Sequence, residues 1–314
     1  MWFRRSVKRA AQMLLTLLGA SVLIWVMLPL APGDPALRTL QALGQENPRE
    51  AEVQAMRRDL QLERPLPQQY VHWLWRTLGG DLSVSWQSGQ PVSQELGKRW
   101  PATARLAFVT LVLALAMTFA LAFVSAAFPD RWPDIVVRLI TQLGASLPAF
   151  LLGLLLLQLV VIEAGFGRVV ANGTWGDVWL PAFCLALGRA ADWTQLLRAN
   201  WLDALEARFT LVAAARGATR WRVLLRYALP NALLPLLSVI GVGIGALLGG
   251  VAIIESVFTW PGLGSYVVAA IAARDLPVIQ GFVLLSTLLY VSATFLADVV
   301  SVWLDPHLRE VAQG

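Results

Sequence analysis

The sequence predicts an all-α integral membrane protein with six transmembrane helices, a cytoplasmic helical elbow and a small extracytoplasmic subdomain. Composition supports this class, because 57% of the 314 residues are hydrophobic, 14% are charged, and the mean hydropathy is +0.61. Soluble domains contain about 25% charged residues. The chain also contains six apolar runs of the roughly 20 residues that a helix needs to cross the hydrocarbon core.

The six predicted spans are residues 10–30, 102–128, 135–162, 179–197, 231–258 and 278–304. The first follows a cluster of cations that resembles the basic region of a signal peptide: Arg4, Arg5, Lys8 and Arg9. Its apolar run is longer than that of a signal peptide, and no clear small-x-small cleavage site follows it. We therefore expect this segment to be retained as the first helix.

The arginines of the short connections predict the orientation in the membrane. The second connection is flanked by Arg131 and Arg138, and the fourth contains six arginines between residues 198 and 226. The third and fifth connections contain only Arg168 and Arg274, respectively. Because short cationic loops stay on the cytoplasmic side, the N-terminus, the fourth connection and the C-terminus are predicted to be cytoplasmic.

These predictions divide the chain into four regions. Residues 1–30 form the N-terminal tail and first helix, and residues 31–101 form an extracytoplasmic subdomain. Residues 102–304 form a five-helix membrane core, and residues 305–314 form a cytoplasmic tail. Within the subdomain, two segments have helical apolar spacing, and the polar stretch that ends at Pro101 is predicted to be irregular. The two helical segments are residues 50–62 and 69–78.

Residues 201–229 form an amphipathic helix–glycine–helix segment, here called the elbow. Its first part has apolar residues at three- and four-residue intervals, which predicts one apolar helix face. Gly217 then provides a residue that can adopt a left-handed backbone and end a helix. The elbow either rests on lipid, with its arginines near phosphate, or binds a soluble partner. The two apolar stripes are Leu202, Leu205, Phe209 and Val212, then Trp221, Leu224, Leu225 and Ala228, and Pro230 follows them.

Polar groups at membrane depth are costly and need a partner or a water-filled path. Glu255 and Asp298 therefore either tie helices together or line a path, and for Asp298 the structural interpretation is preferred. In the fourth span, Arg189 and Asp192 are three residues apart and can pair on one helix face.

Small residues and a proline predict how two of the spans pack. Gly241, Gly245 and Gly249 recur at four-residue steps in the fifth span, a spacing that lets helix backbones approach closely. Pro148 is predicted to kink the third span.

No motif in the sequence predicts catalysis. A phosphate-binding Gly-x-x-x-x-Gly-Lys-Ser/Thr loop is missing, so the chain is not expected to be an ATPase. No Ser/His/Asp or Cys/His set is visible, so no catalytic residue is predicted. His72 and His307 lack metal-ligand spacing, and Cys184 is the one cysteine, so neither a metal site nor an intrachain disulfide is expected. The excess of basic residues is explained by orientation in the bilayer, and no nucleic-acid partner is expected.

Several short segments together resemble the inner-membrane permeases of ABC importers, in the dipeptide, oligopeptide and nickel branch. The resemblance covers nearly the whole chain, and it depends on the order and spacing of the segments. They are Pro-Gly-Asp-Pro (32–35), Leu-Glu-Arg-Pro (62–65), Gln-Tyr (69–70), Gly-Asp-Leu (80–82), Gly-Gln-Pro-Val (89–92), Pro-Ala-Thr (101–103), the elbow, Glu-Ser-Val-Phe-Thr-Trp-Pro-Gly-Leu-Gly (255–264), Arg-Asp-Leu-Pro-Val-Ile-Gln (274–280) and Leu-Asp-Pro (304–306).

The resemblance implies that the elbow is the loop that docks on the ATPase of a type I importer. Many importers have Glu-Ala-Ala where residues 213–215 are Ala-Ala-Ala, although this branch often lacks the acid. Arg208 stands where the branch commonly has an acid, which leaves the polar contacts to the ATPase open. The residues implied in this contact are Phe209, Val212, Ala213, Ala214, Ala215, Arg216, Gly217, Arg220, Arg222 and Arg226.

The resemblance also implies an assembly in the bacterial inner membrane. Its other members would be a second homologous permease, two ATPase subunits that use ATP and Mg²⁺, and a periplasmic or lipid-anchored solute-binding protein, with membrane lipids around them. No cofactor is expected on this chain. The solute is expected to be either a di- or oligopeptide or nickel carried as a metal–chelate complex.

Two other classes of protein are weighed against an importer permease. An ion-coupled secondary transporter would need buried acids or broken helices at mid-membrane, often in inverted repeats, and the sequence shows neither clearly. A non-transport membrane scaffold would not need the elbow. A requirement for ATP and an ATPase subunit distinguishes an importer permease from both.

Overall fold

The computed structural model describes residues 2–31, 33–45, 47–168 and 170–304 of the chain. The side chains of residues 2–10, 238, 248, 249 and 297–304 lie outside this description. Pro32, His307 and the predicted tail 305–314 also lie outside it.

The described residues form helices, and the only β-type pairing among them joins Val84 to Pro91. Residues 157–163 and 223–228 are π-helical continuations of the preceding helices. The α-helices are α1 (Trp2–Leu30), α2 (Pro35–Ala42), α3 (Glu50–Asp59), α4 (Leu66–Leu78), α5 (Val92–Ala127), α6 (Trp132–Ser146), α7 (Ala149–Leu156), α8 (Trp179–Glu206), α9 (Arg208–Ala215), α10 (Arg220–Arg222), α11 (Leu229–Val257), α12 (Leu263–Ala273) and α13 (Leu276–Leu304).

In the described residues, three helices are long and apolar enough to cross a membrane: Ala11–Leu30 in α1, all of α5, and Leu276–Leu296 in α13. Two bent pairs pass the same test together, which gives up to five candidate spans. The pairs are Trp132–Ser146 with Ala149–Glu163, and Arg220–Leu237 with Val239–Leu247.

The fourth predicted span lies in α8, which has the length of a span but not the composition of one. Its 28 residues include two charges within the predicted span and three beyond its C-terminal end, which lowers its hydropathy. The count of six transmembrane helices therefore stays a prediction. The charged residues of α8 are Arg189, Asp192, Arg198, Asp203 and Glu206.

The third predicted span is bent at Pro148. α6 ends at Ser146, Leu147 has an extended backbone (φ −85°, ψ 120°), and α7 begins at Ala149. The residue before a proline is pushed out of the helical region, so the helix is interrupted here. The two halves meet at 98°, a sharper change of direction than the kink predicted from the sequence.

The segment before the second predicted span is helical, contrary to the prediction of an irregular stretch. α5 begins at Val92, not at residue 102. Val92 and Leu96 are buried in a hydrophobic cluster, and Glu95 forms an ion pair with Arg99 one turn later. Burial of one face and an i, i+4 pair both favour the helix, which the polar composition of this segment concealed.

The chain divides into two compact units, one consisting mainly of Ala104–Trp260 and the other of Phe3–Thr103 and Pro261–Val291. In the first unit, α8 packs against α6, α7 and α11. Trp193 and Trp201 of α8 are both buried in its core. Gly243 of α11 provides room for this packing, because a Cβ there would lie 2.6 Å from the ring of Trp193.

In the second unit, the helices predicted at 50–62 and 69–78 are present as α3 and α4. Asp34 begins α2: its carboxylate accepts a hydrogen bond from the amide of Ala36 at 3.0 Å and pairs with Arg57 at 2.8 Å. Ala36, Leu40 and Val53 form the buried cluster between α2 and α3. The carboxylate at the helix N-terminus satisfies an amide that has no partner within the helix.

Candidate functional site

The elbow is made of two short helices separated by Gly217. α8 ends at Glu206, Ala207 is extended, and α9 starts again at Arg208. Gly217 has φ +85°, so the left-handed backbone predicted for it is present. Its amide donates to the Ala214 carbonyl at 2.9 Å, and the next amide, of Ala218, donates to Ala213 at 3.1 Å. This pair of bonds is the Schellman arrangement that closes a helix C-terminus.

Thr210 joins α9 to the end of α8. Its hydroxyl is 3.1, 2.8 and 2.6 Å from the carbonyl oxygens of Ala204, Leu205 and Ala207. The last carbonyls of a helix have no partner within that helix. One hydroxyl proton can serve only one of these oxygens at a time, so Thr210 is a buried cap shared among them.

The second part of the elbow is anchored by Trp201. Its indole Nε1 donates to the Leu224 carbonyl at 3.1 Å, within the π-helical residues 223–228. This carbonyl also accepts a hydrogen bond from the Leu229 amide, so the indole uses its second lone pair. Trp201 is 1% exposed and Leu224 is 2% exposed. The inner side of the elbow, formed by these residues, is therefore firmly packed.

The opposite side of the elbow is open. Phe209, Leu211 and Val212 are 43%, 59% and 49% exposed. Ala214 and Ala215 are exposed beside them, whereas Ala213 is buried. Among the described residues, the arginines on this side form no ion pair with a carboxylate. These exposed arginines are Arg208, Arg216, Arg222 and Arg226.

Arg220 differs from the other arginines of the elbow, because it points to its own chain. Its guanidinium donates to the carbonyl of Ala127, the last residue of α5. The neighbouring Trp221 stacks on Phe123 of α5, with ring centroids 6.1 Å apart and planes 24° apart. Most of the predicted docking residues are therefore exposed on the outer side, whereas Arg220 holds the elbow to α5.

A buried ion pair next to the elbow was not predicted from the sequence. Arg198 of α8 binds Asp134 of α6 through two nitrogens, each 2.7 Å from a carboxylate oxygen. The Ser125 hydroxyl and the Asp130 amide also donate to this carboxylate, the amide at 3.0 Å. Arg138 lies 3.7 Å from it. From the sequence, Arg198 and Arg138 indicate only the orientation in the membrane, and no sequence pattern links either residue to Asp134.

The pair that helix spacing permits on α8 does not form in the described residues, where no salt bridge joins Arg189 to Asp192. The i, i+3 spacing permits such a pair. Among the described residues, however, the only salt bridge that α8 forms joins Arg198 to Asp134 on another helix. Spacing along one helix therefore did not identify the ion pair that forms between helices.

The second unit has its own buried aspartate, also missed by sequence reasoning. Asp275, 1% exposed, accepts from the Ser85 hydroxyl at 2.5 Å and from the amides of Trp86 and Gln87 at 3.1 Å each. The Asp275 carboxylate therefore fixes the loop before α5 by accepting hydrogen bonds from uncharged groups of that loop. Asp275 lies within residues 274–280, one of the segments that resemble the permease family, but a single acid in a loop gives no signal of burial.

The predicted path or packing residues lie on separate elements. Gly241 and Gly245 are buried on α11, and Glu255 on the same helix is 0% exposed. Pro148 is exposed at the bend before α7. Asp298 lies on α13 and Gly249 on α11, but their surroundings are outside the described part of the chain.

Comparison with known families decides the identity of this helical membrane protein. Residues 118–310 match the family described as binding-protein-dependent transport system inner membrane component, and residues 2–107 match the N-terminal family of such membrane components. The chain belongs to this family. It is the permease subunit of an ABC importer, in the peptide and nickel branch. Such permeases are transport subunits that work with ATPase subunits and binding proteins.

The permease is similar along nearly its whole length to curated relatives. It is 37% identical over 303 residues to the glutathione transport system permease protein GsiC of Pectobacterium atrosepticum, which covers 96% of this chain and 98% of that protein. It is 33% identical, with the same coverage, to the GsiC protein of Escherichia coli strain K12.

Solved structures show the same fold at low identity. An amino acid ABC transporter with histidines matches with a TM-score of 0.55 at 15% identity, covering 67% of the permease and 94% of that chain. The MetNI methionine ABC transporter, in an inward-facing conformation, matches with a TM-score of 0.55 at 18% identity, covering 68% and 97%.

Proposed function

We propose that the permease imports a peptide-like solute and receives the energy of ATP hydrolysis through the outer side of the elbow. The observation that carries the coupling proposal is the contrast within the elbow. Its inner side is fixed by buried contacts, while Phe209, Leu211 and Val212 are exposed on α9 without a described partner. An amphipathic helix that presents an apolar face and cations is suited to a groove on a partner protein.

The charges on this side indicate what the groove should contain. Arg208, Arg216, Arg222 and Arg226 are exposed around the apolar residues. A complementary surface would therefore be apolar at its centre and acidic at its rim, since opposite potentials favour the correct encounter. Lipid phosphate could attract the same arginines. Copurification of the ATPase subunits distinguishes a protein partner from lipid.

The topology that fits this role has six spans with the elbow and both termini in the cytoplasm. The division into residues 1–30, 31–101, 102–304 and 305–314 belongs to this proposal. The arginine asymmetry of the short connections supports the orientation. Cysteines introduced at exposed Thr219 and Gln87, in a Cys184→Ser background, should be labelled from the cytoplasmic and the outer side, respectively. Outside labelling of Thr219→Cys would contradict the orientation.

The complete machine would contain this permease, a second homologous permease, two ATPase subunits that bind ATP and Mg²⁺, and a periplasmic or lipid-anchored binding protein. ATP binding must favour one packed state of the spans over another for transport to be driven. Family membership supports the partners, and the stoichiometry is part of the proposal.

The solute is proposed to be a di- or oligopeptide, with glutathione-like tripeptides as the first candidates. The support is the similarity to two relatives named as glutathione transport permeases. Uptake by a strain that expresses the intact system should be compared for labelled di- and tripeptides, glutathione and nickel with and without a chelator. Uptake of nickel but of no peptide would contradict the peptide proposal.

Copurification tests the coupling proposal. The permease should retain ATPase subunits in detergent, and the double variant Phe209→Ser, Val212→Ser should lose them while it remains inserted and folded. A double variant at two exposed apolar residues away from the elbow, Leu154→Ser and Leu155→Ser, is the control for lost hydrophobicity. If the elbow only rests on lipid, both double variants should retain the ATPases equally.

A further inference from the structure

We propose that two arginine contacts clamp the α5–α6 turn (residues 128–131) to the elbow, so that α5 and α6 move with the elbow when the ATPases displace it. This inference rests on the proposed coupling function of the elbow. It assigns to Arg198, Asp134 and Arg220 a role in positioning spans that are not directly connected to the elbow.

The first contact is made on the N-terminal side of the elbow. Arg198 precedes the elbow on α8 and holds Asp134, at the start of α6, by two bonds of 2.7 Å. Its Nε is also 2.8 Å from the Ser125 hydroxyl near the end of α5. Asp134 is 0% and Arg198 19% exposed. Bidentate arginine–carboxylate bonds fix orientation as well as distance, so α8 cannot rotate here without moving both neighbouring helices.

The second contact is made from within the elbow, beyond Gly217. The Arg220 guanidinium donates to the Ala127 carbonyl at the C-terminus of α5. Such a carbonyl has no intrahelical partner and carries part of the negative end of the helix dipole. The stacking of Trp221 on Phe123 adds an apolar contact beside it. These groups lie on the part of the elbow that Gly217 separates from α9.

The two contacts reach the helices on either side of one turn: Arg198, just before the elbow, contacts the start of α6, and Arg220, within the elbow, contacts the end of α5. Asp134 itself accepts from the Asp130 amide at 3.0 Å, and Arg138 is 3.9 Å from the Asp130 carboxylate. The bonds of Asp130 therefore join the turn to α6, and the two arginine contacts join it to the elbow. A displacement of the elbow relative to the turn would break a buried ion pair and a cap of α5 together. Moving both as one body avoids this loss.

The test uses the complete transporter reconstituted in proteoliposomes with its ATPases and binding protein. The measured quantity is the number of ATP molecules hydrolysed per solute imported. Arg220→Gln and Asp134→Asn should raise this ratio about two- to thirty-fold, the range by which residues along a coupling network change coupling. Arg131→Gln removes a cation from the same turn and should keep the wild-type ratio, because its exposed side chain forms no bond in the described residues.

A purely structural role of these residues predicts a different result. Poor folding would lower the amount of assembled transporter, and therefore ATP hydrolysis and uptake together, without changing their ratio. If Asp134→Asn does not assemble, Arg220→Gln decides, since Arg220 lies at the surface of the elbow. A wild-type ratio in assembled Arg220→Gln transporter would overturn the clamp. Failure of the wild-type permease to retain any ATPase would instead overturn the coupling function itself.

Distance measurements test the clamp independently of activity. Spin labels at Arg131→Cys and Thr219→Cys, in a Cys184→Ala background, report the separation of the turn and the elbow. Their distance distribution should be the same without nucleotide and with ATP bound, and should change on ATP binding when Arg220→Gln is added. An equally large change in the transporter without Arg220→Gln would show that the turn and the elbow move separately.

Discussion

The two sides of the elbow contain the same kinds of residue but differ in what covers them. On the inner side, Trp201 and Leu224 are 1% and 2% exposed. On the outer side, Leu211 and Val212 are 59% and 49% exposed. Arginines differ in their partners instead: Arg216 and Arg220 are both exposed, but Arg220 donates a hydrogen bond to the end of α5. Hydrophobic residues are therefore found both in a packed core and on an open surface, and burial distinguishes the two.

This comparison also explains where periodicity is insufficient. Leu202, Leu205, Phe209 and Val212 were predicted to share one helix face, but the helix is interrupted at Ala207, whose backbone is extended (φ −65°, ψ 149°). The first two leucines are therefore half-buried on α8, whereas the other two side chains are exposed on α9. An alanine provides no sequence signal for such a break.

The largest expected effect is on the inner side. Trp201→Ala removes a fully buried ring and the hydrogen bond to the Leu224 carbonyl, and should lower the free energy of unfolding by about 3–5 kcal/mol. Thermal unfolding of the purified permease in detergent measures this loss. Leu211→Ala on the outer side is the control and should change the stability by less than about 0.5 kcal/mol. Equal losses for both variants would contradict the division into two sides.

The second effect belongs to the outer side. Phe209→Ala should weaken ATPase binding by about 2 kcal/mol, the threshold for a central interface residue, and should leave the unfolding temperature unchanged. A titration of labelled ATPase against the permease in nanodiscs measures the affinity. Phe166→Ala, which truncates a 72% exposed phenylalanine outside the elbow, should bind normally. Normal binding of Phe209→Ala would argue that the exposed apolar side contacts lipid.

The third prediction concerns Gly217, which connects α9 to the second part of the elbow. Gly217 has φ +85°, and an added Cβ would meet nothing within 4 Å. Gly217→Val should therefore cost about 1–2 kcal/mol from backbone strain alone, and should reduce ATPase retention and uptake by turning α9 away. Gly217→Asn is the matched control, because asparagine tolerates a left-handed backbone. If valine and asparagine behave alike, the positive φ is not needed for coupling.

The sequence predicted features that local chemistry determines, and missed those that depend on packing between helices. Gly217 could be identified because few residues adopt its backbone, and Pro148 because it restricts the residue before it. The partners of Asp134 and Asp275 could not, because they come from residues 64 and 190 positions away. Family resemblance identified the function of the whole chain without identifying either aspartate.

The smallest expected effect concerns the contact by which the inner side of α9 is held to α8. Thr210 is 1% exposed, and its hydroxyl lies within 3.1 Å of three carbonyl oxygens, two of them at the end of α8. Thr210→Val keeps the shape and removes the donor, which should cost about 1 kcal/mol. Thr210→Ser keeps the donor, and should retain most of this stability although it loses a methyl group. Thermal unfolding of both variants in detergent, with ATPase retention measured in parallel, compares them. A valine variant as stable as the wild type would mean that the carbonyls at the end of α8 do not need the hydroxyl, and that Trp201 and Leu224 alone fix the inner side.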